Sequence, residues 1–213
     1  MTALAGLFIL AGPPVSAATV ALSSQSAARS AMTAGPATAR APVETLHSAL
    51  LDSMKAAETQ DVRARFATLE PVLDKTFDMR LMTALSMGTY WRKASAESQR
   101  LLVDAFRRFS AATYAARFSG WSGQSFETLS IGDGPRGTRI VRTRINRPDQ
   151  EPVPLSYVLR KNGEHWQIVD ILLAAGISEI AVRRSEYSAV LKSGGPAALA
   201  RLLADRTAKL LTP

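Results

Sequence analysis

The spacing of the hydrophobic residues changes at Gly120, and this change constrains the fold class. Before Gly120 apolar residues recur every three or four positions, which is typical of helices. After it they alternate with polar residues, which is typical of strands. Four stretches alternate in this way: residues 125–131, 139–145, 153–159 and 166–173. The turn-forming pairs between them are Asp133-Gly134, Pro148-Asp149 and Asn162-Gly163. Because turns this short join antiparallel strands, the sequence predicts a four-stranded antiparallel meander.

Helical patterns lie on both sides of these strands. Leu46, Leu50 and Met54 recur every four residues and predict a first helix with one buried stripe. Pro71 predicts a break or a kink in the second helical stretch, and Ser95 is suited to cap a later helix. Further helical spacing follows the last strand. Helices before and after an antiparallel sheet predict an α+β fold, with the helices packed on a curved sheet.

The last predicted strand is apolar on both faces. Strict alternation gives each face three apolar side chains: Trp166, Ile168 and Leu172 on one, and Val169, Ile171 and Leu173 on the other. It also places Asp170 on the face of Trp166 and Ile168. Since neither face suits free contact with water, we expect the sheet to be covered on both sides or to curl.

The first 42 residues predict an export signal and a linker. Residues 3–12 form an apolar run and Val15-Ser16-Ala17 has the small-x-small pattern of a cleavage site, so residues 1–17 predict a signal peptide. No Lys or Arg precedes the run, so a start further upstream and an apolar N terminus of a cytoplasmic protein stay as alternatives. Residues 18–42, rich in Ala, Ser and Thr, predict a disordered linker. Residues 43–213 are then the folded domain, and no stretch of it is apolar enough to span a bilayer.

Composition excludes several kinds of site. The 213 residues contain no cysteine, which excludes disulfides, thiolate metal sites and cysteine nucleophiles. His47 and His165 are the only histidines, too few for a histidine metal site without other ligands. Residues 132–137 match G-x-G-x-x-G, but a strand pattern follows where a nucleotide-binding motif needs a helix. We expect no metal, no cofactor and no catalytic residue.

Two other classes of function stay open at this point. Asp170, or Asp78, could serve as the general base of a small enzyme with an apolar pocket, although a hydrogen-bonded structural carboxylate is the simpler interpretation. The net charge of +8 raises the possibility of a nucleic-acid partner. The arginines are scattered, however, and no aromatic and basic signature of an RNA-binding sheet occurs, so we expect no such partner.

Five stretches carry a resemblance to a known family: Phe77-Asp78-Met79, Gly88-Thr89-Tyr90-Trp91, residues 99–109, Trp166-Gln167-Ile168-Val169-Asp170 and Gly176-Ile177-Ser178. In this order, and over residues 43–211, the chain resembles the MlaC and toluene-tolerance auxiliary proteins, which are periplasmic lipid carriers. Residues 175–187 are more similar to the branch associated with hopanoid biosynthesis. The resemblance implies a periplasmic shuttle that moves phospholipid or hopanoid between membranes. Its implied partners are an MCE-type ABC transporter of the inner membrane and an outer-membrane lipid complex.

A lipid carrier needs a dry cavity, since two acyl chains of about sixteen carbons cost on the order of 25 kcal/mol to expose to water. Apolar side chains on the strands and helices are expected to line it: Leu81, Leu85, Phe106, Phe109, Tyr114, Leu155, Tyr157, Leu159, Trp166 and Ile168. The alternative is that these side chains fill a solid core. Exposed arginines are expected to favour transient contact with anionic membranes: Arg107, Arg108, Arg183 and Arg184.

Overall fold

The computed structural model describes residues 38–173 and 176–212. The predicted signal peptide and residues 18–37 of the predicted linker lie outside these ranges. Helix α1 begins at Arg40, so the last three residues assigned to the linker, Arg40 to Pro42, are helical. Pro42 is compatible with this because the first turn of a helix needs no hydrogen bond from its backbone nitrogens.

The described residues form an α+β fold, as predicted. The elements in chain order are α1 (Arg40–Ala56), α2 (Val62–Thr76), α3 (Met79–Met87), α4 (Thr89–Lys93), α5 (Ala96–Arg117), β1 (Ser125–Asp133), β2 (Arg139–Arg147), β3 (Gln150–Asn162), β4 (His165–Leu173), β5 (Ile177–Ser178) and α6 (Glu179–Leu210). The strands pair antiparallel in the order β1-β2-β3-β4-β5. The expected four strands are thus joined by a fifth, whose two residues are too few to show an alternating pattern.

Capping, glycine and proline residues mark several helix ends and breaks. Ser95 caps α5 as predicted, its hydroxyl accepting a hydrogen bond from the backbone nitrogen of Ser98. Gly88 ends α3 with a φ of +59°, a conformation that glycine adopts without strain. Pro71 lies inside α2, which the structure shows as one helix. In α6 the backbone at Gly195 is not helical, so a second helical segment begins at Pro196.

Two-residue turns join the central strands. Pro148 and Asp149 connect β2 to β3, where Arg147 pairs with Gln150. At the next turn Asn162 pairs with His165, so the two turn residues are 163 and 164, one position later than predicted. Between β1 and β2, residues 135–137 form a short 3₁₀ turn and a strand follows, which confirms that the glycine-rich motif opens no helix.

A β-bulge in β4 changes which side chains share a face. Leu159 pairs with Ile168, but the preceding Val158 pairs with Asp170, so Val169 is an extra residue on its strand. Beyond the bulge the alternation is shifted by one position.

The predicted faces of β4 were therefore wrong after Ile168. Ile171, which pairs with Tyr157, shares the face of Ile168, whereas Asp170 and Leu172 lie on the opposite face. Asp170 is thus not on the apolar face where strict alternation placed it.

The core lies between this face of the sheet and the helices. Its largest fully buried side chains come from both layers: Tyr187, Phe106, Leu46, Leu50, Leu69, Leu73, Leu102, Leu159, Ile168, Leu199, Leu203 and Val43. None of the helices in the described ranges combines the length and the apolar character needed to cross a bilayer.

Candidate functional site

A small cavity lies inside the fold, between helices α3, α5 and α6. Its volume is about 10 Å³, which is near the lower limit for one water molecule. It is lined by Phe77, Met79, Met82, Ser110, Tyr114, Glu179 and Arg183. Three of these side chains are apolar and four carry a hydroxyl or a charge, so the cavity has a polar wall inside an otherwise apolar interior.

The residues predicted to bind lipid fall into three groups. Five are buried in the core: Phe106, Phe109, Tyr157, Leu159 and Ile168. Three are half-buried and pack against it: Tyr114, Leu155 and Trp166. On α3, Leu81 is half-buried and Leu85 is 44% exposed. In this closed structure the core residues pack mainly against one another, and Tyr114 is the only member of the predicted set that lines the cavity.

The other six cavity-lining residues were not predicted from the sequence. Met79 and Met82 recur at helical spacing, which is equally typical of ordinary core residues. Arg183 was expected on the exterior, and charged residues such as Glu179 rarely lie buried unless they are paired. The burial of Arg183 depends on Phe106 and Phe109 of α5, about 75 positions earlier in the chain, and no local pattern reports such a contact.

Arg183 is buried, which corrects the expectation that it lies on a basic exterior. Its Nη2 and Nε atoms donate to Glu179 Oε1 at 2.6 and 3.2 Å, and Nη1 donates to the Tyr187 hydroxyl at 3.3 Å. The guanidinium also lies 5.4 Å from the ring centres of Phe106 and Phe109. Burial works against the charged form, but Glu179 and Tyr187 outweigh it and raise the pKa of Arg183 above its ordinary value.

The other arginines expected to contact membranes are also mostly paired. Arg107 forms ion pairs with Asp74 at 2.6 Å and with Asp104 at 2.9 Å. Arg108 lies 3.8 Å from Glu70. Within the described part of the chain, Arg184 alone of the four is exposed with no ion pair. Of the four arginines predicted to contact membranes, only Arg184 therefore offers an exposed positive charge with no acidic partner.

His47 is a buried side chain that packs against two aromatic residues. Its Nε2 atom lies 3.0 Å from the Tyr157 hydroxyl, and its ring stacks on Phe126 at a centroid distance of 4.1 Å. Burial lowers the pKa of His47 to about 4. Residues 38–173 and 176–212 contain no group of three or more His, Cys, Asp or Glu that could hold a metal ion.

Both carboxylates considered as general bases are engaged at helix starts. Asp170 accepts hydrogen bonds from Ser178 Oγ at 2.6 Å and from the backbone nitrogens of Ile171 and Ile180 at 2.8 and 3.1 Å. Asp78 accepts from the backbone nitrogen of Leu81 at 2.9 Å. These contacts favour the structural interpretation of both residues.

A larger, open cleft of about 460 Å³ lies at the start of α1, beside the end of α2 and the β3–β4 turn. It is lined by Ala41, Pro42, Thr45, Lys75, Thr76, Asn162, Gly163, His165, Trp166 and Gln167. Trp166 is the only residue of the predicted lipid-binding set on this cleft.

Helices packed on one face of an antiparallel sheet, around an interior with a small, partly polar cavity, define an α+β protein. The chain matches the MlaC protein family over residues 44–205 and belongs to that family.

A solved structure shares this fold. The phospholipid-binding protein from Ralstonia solanacearum, determined in complex with a phospholipid, superposes with a TM-score of 0.71. The two chains are 24% identical over 83% of this chain and all of the other. The resemblance to the MlaC family found in the sequence, and the α+β fold predicted from its periodicity, are thus confirmed.

Proposed function

We propose that this protein is a periplasmic lipid carrier that holds the acyl chains of its cargo inside the fold. Membership of the MlaC family over residues 44–205 is the observation that carries the proposal. A protein of the same fold has been determined with a phospholipid bound, which supports it. Burying hydrocarbon stabilises it by about 0.8 kcal/mol per methylene, so such a carrier needs no chemistry beyond shelter from water.

Because the interior is closed in this structure, a lipid requires one wall to move. Helix α3 is the best candidate. It has only nine residues and places three buried methionines, Met79, Met82 and Met87, against the interior. Methionine adapts to irregular space because it is unbranched and has several rotatable bonds. We propose that acyl chains enter where α3 separates from α5 and α6, and that the small cavity there widens.

The proposed cargo and partner complexes rest on the family resemblance. The cargo is a phospholipid or a hopanoid, and the carrier exchanges it with an MCE-type transporter in the inner membrane and a lipid complex in the outer membrane. Transient contact with anionic membranes would involve Arg184, since the other three arginines named for this role are paired or buried.

Lipid extraction tests the central claim. The full-length protein is exported from a Gram-negative host, purified without detergent and extracted with organic solvent, and the extract is analysed by mass spectrometry. We expect about one lipid per protein. A folded protein that carries no lipid, and takes up none from vesicles, would contradict the proposal.

Distance measurements test the movement of α3. Because the chain has no cysteine, spin labels can be placed by Leu85→Cys on α3 and Ser188→Cys on α6, at two exposed positions. We expect the distance between these labels to lengthen when lipid is loaded. The control pair joins Ser188→Cys to Arg100→Cys on α5, and its distance should stay constant. If loading leaves both distances unchanged, the lipid enters elsewhere.

A further inference from the structure

Two hydroxyl groups face the interior cavity without hydrogen-bond partners. Ser110 and Tyr114 lie one turn apart on α5 and both line the cavity. Ser110 is only 5% exposed, yet neither hydroxyl has a partner in residues 38–173 and 176–212. Other buried hydroxyls of these helices behave differently: those of Thr83, Ser86 and Thr113 each donate to the carbonyl four residues earlier, at 2.7 to 2.8 Å. Both hydroxyls are therefore free to form hydrogen bonds with a molecule that occupies the cavity.

The opposite wall supplies further hydrogen-bonding capacity but no net charge. Arg183 has five N–H donors, and three of its nitrogens each make one hydrogen bond, two to Glu179 and one to Tyr187. N–H groups on this side chain therefore remain available beside the cavity. Because Glu179 neutralises the guanidinium, a phosphate group here would face a carboxylate in a region of low dielectric.

We propose that Ser110, Tyr114 and Arg183 form an internal hydrogen-bonding site for an ester carbonyl of the cargo. This inference rests on the proposed lipid-carrier function and adds the chemical group that the interior recognises. A carbonyl oxygen needs donors only, and all three side chains can donate. Burial raises the pKa of Tyr114 well above its ordinary value, and Glu179 adds to this effect, so the phenol keeps its proton.

The site predicts a preference among lipids. An acyl-ester lipid places carbonyl oxygens near the tops of its chains, while its charged phosphate stays outside the interior. An ether-linked lipid with the same chains and headgroup lacks those oxygens and would leave the two hydroxyls unpartnered. Since one neutral hydrogen bond changes binding by a factor of about two to ten, we expect the ester lipid to bind roughly fivefold to tenfold more tightly.

The test compares binding of dipalmitoyl phosphatidylglycerol and its dihexadecyl diether analogue to the delipidated full-length protein. Tyr114→Phe and Ser110→Ala each remove one hydroxyl with little change of shape, and both should move the ester-to-ether affinity ratio towards one. Ser53→Ala is the matched control. Ser53 is as buried as Ser110, but its hydroxyl is directed at the Phe118 carbonyl and lies outside the cavity. This variant should keep the wild-type ratio. Circular dichroism establishes that each variant is folded.

Three results would overturn the inference: equal affinity of the wild type for both lipids, an unchanged ratio in both hydroxyl variants, or equal weakening of both lipids in a folded variant. Each of them leaves lipid binding itself in place. Failure of the proposed function gives a different result, because the wild-type protein would then bind neither lipid.

Discussion

The Nε2 atom of His47 lies 3.0 Å from the hydroxyl oxygen of Tyr157, which ties helix α1 to strand β3 inside the core. The two residues are 110 positions apart in the chain. The Tyr157 hydroxyl offers the imidazole a polar partner, but no carboxylate that would stabilise its charged form is paired with it in the described structure. Burial therefore lowers the pKa of His47 to about 4.

Protonation of His47 should make the fold sensitive to mild acid. In the unfolded chain the pKa of histidine is about 6.5, so between pH 6.5 and 4 the unfolded state binds more protons than the folded state. The free energy of unfolding therefore falls as the pH falls through this range, and His47 should account for about 2 to 3 kcal/mol of the loss. Urea unfolding at pH 7.5 and pH 4.5 measures this loss in the wild type and in His47→Gln, which keeps a polar partner for Tyr157 but does not titrate.

The pH-dependent loss should be smaller in His47→Gln than in the wild type. His165 provides the control because it is exposed in the β3–β4 hairpin, and His165→Gln should show the wild-type loss. Equal losses in all three proteins would mean that His47 does not control acid sensitivity.

The Glu179–Arg183 pair should stabilise the fold far more than an exposed pair with the same spacing. The side chains of Arg183 and Glu179 are 10% and 21% exposed, so removing the carboxylate leaves a guanidinium without its counter-charge in the interior. We expect Glu179→Gln to lower the free energy of unfolding by about 3 kcal/mol, as measured by chemical denaturation at pH 7.5.

Arg40 and Glu44 form the matched exposed pair, also four residues apart on a helix, with side chains 42% and 52% exposed. Glu44→Gln should change stability by no more than about 0.5 kcal/mol. Similar losses in the two variants would show that burial does not strengthen the pair.

The sequence predicts the α+β class, the order of the elements and most of the strand positions, because these depend on local periodicity and turn chemistry. The bulge at Val169 was not predicted, because the five residues from Ile168 to Leu172 include four apolar ones and fit either register. The position of Asp170, on the face opposite Ile168, was therefore not predicted either. The polar wall of the cavity could not be predicted, since an arginine and a glutamate four residues apart are typical of a solvated helix face. Only tertiary contacts with Phe106 and Phe109 reveal that Arg183 is buried.

Asp170 should matter for stability and not for a reaction. Its carboxylate bridges β4 to the start of α6 through Ser178 and Ile180. Asp170→Asn keeps one oxygen acceptor but removes the charge and one acceptor site, so we expect a loss of about 1 to 2 kcal/mol in unfolding free energy.

Lipid content should stay at the wild-type level in Asp170→Asn, because the side chain lies outside the cavity. Asp149→Asn is the control, since Asp149 sits in an exposed turn with a φ of +55°, which asparagine also tolerates. Turnover of an apolar substrate by the wild type that disappears in Asp170→Asn would instead support a catalytic role.

Gly88 joins α3 to α4, and its backbone conformation should make this position intolerant of any other residue. Its φ of +59° and ψ of −126° lie where residues with a Cβ atom are strained. A Cβ atom at this position would also lie 2.9 Å from the guanidinium of Arg184. We expect Gly88→Ala to lower the free energy of unfolding by about 1 to 3 kcal/mol.

Backbone strain and the contact with Arg184 can be separated in a double-mutant cycle. The Arg184 side chain is long and flexible, so it can move away from an added methyl group, whereas the backbone angles cannot change without displacing a helix. We therefore expect Arg184→Ala to recover little of the stability lost in Gly88→Ala, with the four proteins compared by urea unfolding at one pH. Recovery of most of the loss would assign the effect to the side-chain contact and show that the junction between α3 and α4 tolerates a residue other than glycine.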